Sequence, residues 1–120
     1  MVAGRPRVLV VDDDRDSREV VAEALSDEGY EVRAAASGRE ALALLGAWRP
    51  ELIILDVWMP VVDGVEFRAA QERDGFADIP VLLLTAADRP ERFAAALAAP
   101  VLPKPFELDA LLAEVRRLLS

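Results

Sequence analysis

Three segments of the chain are apolar without interruption. Arg7–Asp12 (RVLVVD), Glu51–Asp56 (ELIILD) and Pro80–Thr85 (PVLLLT) each carry an unbroken run of Val, Ile or Leu between polar or turn residues. Such runs predict strands buried on both faces, as in a parallel sheet covered by helices on each side. Tyr30–Ala35 reads as a weaker strand and Pro100–Pro103 as a very short one.

Between these runs the period becomes helical. Asp16 to Glu28 places Val20, Val21, Ala24 and Leu25 on one face, and Gly29 stands where a C-terminal stop is expected. Ser37 and Glu40 form a capping box that opens a helix with Ala41, Leu42 and Leu45 inward. Gly64 to Arg73 predicts a further helix, although its apolar positions make a poor stripe. Asp88, Arg89 and Pro90 suit the first turn of a helix reaching Ala99, with Phe93 and Leu97 four apart. The last helix has the clearest stripe: Leu108, Leu111, Leu112, Val115, Leu118 and Leu119.

Strand and helix alternate throughout. That order predicts an α/β fold, a right-handed, doubly wound, five-stranded parallel sheet with helices on both faces. The 120 residues make one domain, 1–120, with no repeat, linker or low-complexity stretch. Ligands of such sheets bind beyond the carboxyl ends of the strands, at the switch point in strand order. Residues capable of chemistry should therefore stand where strands end.

They do. The first strand runs into Asp12, Asp13 and Asp14, the third into Asp56, the fourth into Thr85 and the fifth into Lys104. Composition sharpens this set. Among 14 basic residues Lys104 is the only lysine, and Thr85 is the only threonine. A compact ammonium on a flexible stem does what a planar guanidinium cannot. The carboxylates repel one another and need a counter-charge. With no His or Cys in the chain, oxygen ligands point to a hard cation, and a site that keeps several waters suits Mg2+. Asp13 and Asp56 can ligate directly and Asp12 through water, whereas Asp14 fits an acidic helix start. Asp56 is also an anionic nucleophile. Its attack on phosphorus gives an acyl phosphate once the incoming charge is neutralised, with Lys104 and the Thr85 hydroxyl facing the phosphoryl oxygens.

Other classes are excluded or disfavoured. Without histidine the chain is neither a histidine phosphodonor nor a His-based metal or triad enzyme. A net charge of −8 repels nucleic acid and anionic membranes. No apolar run approaches the roughly 18 residues of a membrane span. The start MVAGRPR lacks a signal-peptide pattern, and a cytoplasmic location is expected.

These segments together resemble the receiver domain of two-component response regulators: VLVVDDD (8–14), LIILDVWMPVVDG (52–64), VLLLTAAD (81–88) and LPKPF (102–106). The resemblance covers nearly the whole chain. It implies a flavodoxin-like sheet of order 2-1-3-4-5, with Asp56 as phosphoacceptor. It implies Mg2+ (or Mn2+) on Asp12, Asp13, Asp56 and the backbone carbonyl of Trp58, and Thr85 and Lys104 on the phosphoryl oxygens. Met59-Pro60 and Asp63-Gly64 match the family's loop after the acceptor, and a cis peptide before Pro105 is expected. The implied donor is a histidine kinase or histidine phosphotransfer protein. The implied output surface lies around helix 88–99, strand 100–103 and helix 107–119, with a phosphorylation-dependent dimer or a fused effector as possible readouts. The resemblance implies no enzymatic activity beyond Mg-dependent self-phosphorylation and autodephosphorylation.

Two positions depart from the family pattern. Receivers usually carry Tyr or Phe shortly before the lysine, and here Val101 is nearest that place, in a segment shortened by a few residues. Activation is then expected to reshape helix 88–99 by another route. Trp58 follows the acceptor by two residues, where its ring either shields an acyl phosphate, belongs to a partner surface, or lies flat on the protein. A phosphatase with an aspartyl nucleophile would need an acid at the Trp58 position. A receiver-like module that binds partners without phosphorylation is the other alternative.

Overall fold

The unbroken apolar runs pair with one another. The computed structural model describes residues 5–57, 61–86, 91, 92, 95 and 98–120. Strands β1 (Arg7–Val11), β2 (Glu31–Ala35), β3 (Leu52–Val57), β4 (Val81–Thr85) and β5 (Val101–Pro103) form one sheet in the order β2-β1-β3-β4-β5. Every neighbouring pair is parallel. The helices are α1 (Arg15–Asp27), α2 (Gly38–Leu45), α3 (Val61–Arg73) and α4 (Leu108–Leu119). Of the helix predicted over 88–99, Glu91, Arg92 and Ala95 are described, all helical. Its start at Asp88 to Pro90, and Phe93 and Leu97, lie outside the described residues.

The runs are continuous because successive side chains enter two different cores. Val8, Val10, Leu52, Ile54, Leu82 and Leu84 pack with Val21 and Leu25 of α1 and Leu111 and Val115 of α4. The alternate positions, among them Leu9, Ile53, Leu55 and Leu83, pack with Ala41 and Leu45 of α2 and Phe67 of α3. Helices α1 and α4 thus cover one face of the sheet, and α2 and α3 the other.

Local signals set the ends of the elements. The Asp14 carboxylate accepts from the Ser17 N–H at 3.1 Å and caps α1. Gly29 follows that helix with φ of +94°, a left-handed conformation open to glycine. Ser37 caps α2 by accepting from the Glu40 N–H at 3.1 Å, and Glu40 reaches back to the Ala36 N–H at 3.3 Å. The peptide between Lys104 and Pro105 is cis.

Three expectations are corrected. Helix α3 begins at Val61, three positions before Gly64, because a glycine in the first turns costs too little to stop a helix whose inner residues pack. Val20, placed on the inward face of α1, is 54% exposed, and Leu108, placed in the α4 stripe, is 42% exposed. In both cases the neighbouring positions, Val21 and Leu111, meet the sheet, and the apolar stripe is wider than the surface covering it. The poor stripe of α3 also has a cause. Among its described side chains the buried ones are Phe67, Ala70 and Gln71, and one of these is an amide.

Trp48, buried after α2, donates its Nε1–H to Glu31 Oε2 at 2.9 Å. The Arg7 and Arg33 guanidiniums lie 5.6 and 5.1 Å from its ring centroid. Among the described residues, no helix is long and apolar enough to cross a membrane.

Candidate phosphoacceptor site

The carboxyl ends of β1, β3 and β4 gather the residues singled out above. Asp12 follows β1 and is held at three points. Its N–H donates to the Ala35 carbonyl at 3.0 Å, its Oδ1 accepts from the Asp14 N–H at 2.9 Å, and its carbonyl accepts from Arg18 Nη1 at 2.8 Å. Asp12 is buried and Asp13, the next residue, is exposed. Asp14 serves the helix: its Oδ2 also accepts from the Ser17 hydroxyl at 2.7 Å, and the Ser17 bonds hold its carboxyl below the usual range.

Asp56 lies inside β3, which continues one residue further to Val57. Its Oδ2 accepts from Lys104 Nζ at 2.5 Å, with the two side chains 3% and 20% exposed. Its Oδ1 is buried and, among the described residues, has no hydrogen-bond partner. Lys104 is fixed at its backbone as well, where its N–H donates to the Thr85 carbonyl at 2.7 Å. Thr85 is buried at the end of β4, in register with Val57. A short β5 beside β4 therefore delivers the one lysine to the carboxylate of β3.

Among the described residues, two clefts reach Asp56. The larger, about 840 Å³, is lined by Asp12, Asp13 and Asp56 on one side and by residues such as Ser37, Leu42 and Phe67 on the other. The smaller, about 380 Å³, is bordered by Val20, Phe106 and Leu108 and reaches both Asp56 and Lys104.

The electrostatics ask for a cation. Burial pushes the Asp12 carboxyl up to about 7; the Asp56 carboxylate adds to this, while the Asp14 N–H and Lys104 oppose it. Among the described residues no three carboxylates form a ready-made cage. The donor chemistry still fits a hard ion that keeps most of its waters: oxygen atoms only, one of them the Asp56 Oδ1 that is buried without a partner among the described residues. Trp58, Met59 and Pro60 lie outside the described residues, and with them the expected carbonyl ligand.

Sequence reading overlooked Arg18. Its only signal was an arginine six residues beyond Asp12, close enough on the first turns of α1 to reach back.

Residues 8–116 match the family model described as the response regulator receiver domain. The chain belongs to this family. The response regulator MprA of Mycolicibacterium vanbaalenii is 48% identical over 116 residues, which cover 94% of this chain and 50% of that protein. The chain spans about half the length of the curated relatives it matches. CheY4 of Vibrio cholerae, a chemotaxis protein, superposes with a TM-score of 0.83 at 39% identity, covering 97% of this chain and 100% of that one. TrrA of Thermotoga maritima, solved in complex with Mg2+–BeF, gives 0.80 at 35% identity, covering 95% and 99%. The sheet order of this receiver domain is the flavodoxin-like order expected from its motifs, and two-component signalling is its functional class.

Proposed function

We propose that Asp56 accepts a phosphoryl group from a histidine kinase or histidine phosphotransfer protein, and that the acyl phosphate so formed is the signal. The observation that carries this reading is the pairing at Asp56. One carboxylate oxygen is held by the lone lysine, and the other is buried, without a hydrogen-bond partner among the described residues, where the two clefts meet. An oxygen of Asp56 forms the new O–P bond as the P–N bond of a phosphohistidine breaks, and the electron pair leaves on the donor imidazole. Lys104, already at the carboxylate, neutralises charge on the incoming phosphoryl oxygens. The Thr85 hydroxyl is assigned the hydrogen bond to one of them. Asp12, Asp13 and Asp56, with the Trp58 carbonyl, would hold Mg2+ (or Mn2+), which supplies charge neutralisation and template binding. The Mg2+ carried by TrrA supports that choice of ion.

The smaller cleft gives a protein phosphodonor its approach, because exposed Val20 and Leu108 border it beside the acceptor. Output is assigned to the surface around 88–99, β5 and α4. Val101, in register with Leu83 and half-buried, replaces an aromatic ring there, so the signal reaches that surface without a ring turning inward. Incubation with acetyl phosphate and Mg2+ followed by intact-mass measurement tests the proposal. The expected result is a gain of one phosphoryl group, lost in Asp56→Asn. An unmodified wild-type chain would favour a module that binds partners without phosphorylation.

A further inference from the structure

Arg18 sits among carboxylates yet bonds a peptide oxygen. Its neighbour Arg15 pairs with Glu19 at 3.0 Å, an ordinary surface ion pair within α1. Arg18 instead turns back to the loop between β1 and α1 and donates Nη1 to the carbonyl of Asp12 at 2.8 Å. That carbonyl belongs to the peptide joining Asp12 to Asp13, so its plane sets the direction in which Asp13 leaves the strand. The other polar groups that fix the loop act on either side of this peptide. The Asp12 N–H is tied to Ala35, and the Asp14 N–H is tied to Asp12 Oδ1. Arg18 closes the remaining freedom. Asp13 is exposed, and no described hydrogen bond or ion pair holds its carboxylate, so its position depends on the backbone that carries it.

We infer that Arg18 is a positioning residue for the divalent-cation site, clamping the peptide between Asp12 and Asp13 so that both carboxylates face Asp56. The inference rests on the reading of Asp12 and Asp13 as cation ligands. Its sign separates it from a simple charge effect. A guanidinium near a cation site repels the ion, so deleting Arg18 as a mere charge would tighten Mg2+ binding. Deleting it as a clamp loosens the ligand geometry, and supporting contacts around metal ligands typically carry tenfold or more in affinity.

The test is calorimetric titration of the full chain with Mg2+, alongside the thermal unfolding midpoint in metal-free buffer. Arg18→Met keeps most of the aliphatic stem and loses the donor. Roughly tenfold weaker Mg2+ binding is expected, with an unfolding midpoint close to wild type. Arg18→Lys, which keeps a donor and the charge, should recover part of the loss. Unchanged or tighter binding in Arg18→Met overturns the clamp, as does an Arg18→Lys variant no better than Arg18→Met. Asp13→Asn separates the two readings. If it abolishes Mg2+ binding while Arg18→Met does not weaken it, the cation site stands and the clamp falls. If wild type shows no saturable binding that depends on Asp13, the cation site falls and takes the clamp with it. Should Arg18→Met fail to fold, Arg18→Gln carries the same expectation.

Discussion

At the scale of single residues, the pair between Asp56 and Lys104 is lopsided, and the lopsidedness is measurable. The carboxylate is almost wholly buried while the ammonium keeps a fifth of its exposure. Lys104→Met therefore strands a buried charge beside Asp12, which already resists ionising. Removing one partner of a fully buried pair costs about 3–5 kcal/mol; with Lys104 part-exposed, a loss on the order of 2 kcal/mol is expected. Asp56→Asn removes the buried charge itself, beside a lysine that is already part-exposed to water, and relieves the crowding with Asp12. It should cost far less than Lys104→Met, or stabilise the protein. Urea unfolding in chelator compares the two, and equal losses would contradict this account. These residues were legible because a parallel sheet sends its strand ends to one edge, and because the chain uses lysine and threonine once each. The capping role of Asp14 was legible for the same local reason that it caps. Arg18 was not: its partner is a backbone oxygen, which has no letter in the sequence, and arginine is this chain's general-purpose cation.

Among the elements, α3 shows how an inward polar residue hides a helix from its pattern. Gln71 is fully buried, accepts from Arg68 Nη1 at 2.7 Å, and donates Nε2 to the carbonyls of Phe76 and Ile79 at 2.8 and 2.9 Å. It ties the connection after α3 to the start of β4. Gln71→Leu would strip the buried Ile79 carbonyl of its amide donor and leave the Phe76 carbonyl with the Ile79 N–H at 3.1 Å, a loss of about 1–3 kcal/mol for the one buried group left unsatisfied. The expected observation is a lower urea midpoint with an unchanged slope and normal Asp56 phosphorylation by acetyl phosphate. Helix α1 carries a prediction of the opposite kind. Val20 is exposed at the rim of the smaller cleft, so Val20→Asp should leave stability and acetyl phosphate labelling intact while slowing transfer from a protein phosphodonor. Equal slowing with both donors would remove the cleft as the docking side. The strands were the legible elements, since burial on two faces leaves no polar position to blur them. Helix ends moved by a few residues because caps and a tolerated Gly64, rather than periodicity, decide them.

For the molecule as a whole, alternation of strand and helix dictated the layers, but not which strand lies in the middle. Any right-handed winding satisfies the alternation, so the order β2-β1-β3-β4-β5 came from motifs matched to a family rather than from periodicity. That order matters because it puts β1 beside β3, and so Asp12 near Asp56, in a chain that is already strongly acidic. A net charge of −8 disfavours the compact state through self-repulsion, and salt screens it. Sodium chloride should therefore raise the unfolding midpoint gradually in wild type and in Asp13→Asn alike. Magnesium chloride at matched ionic strength should add a second increment confined to chains with an intact site. A ligand at 100 times its dissociation constant stabilises by about 2.7 kcal/mol. For a domain of this size that corresponds to a rise on the order of 10 °C. Screening acts on all charges at once and the site on a few, so the difference between the two salts isolates the site. Wild type and Asp13→Asn responding identically to both salts would mean that the acidic cleft holds no cation of its own.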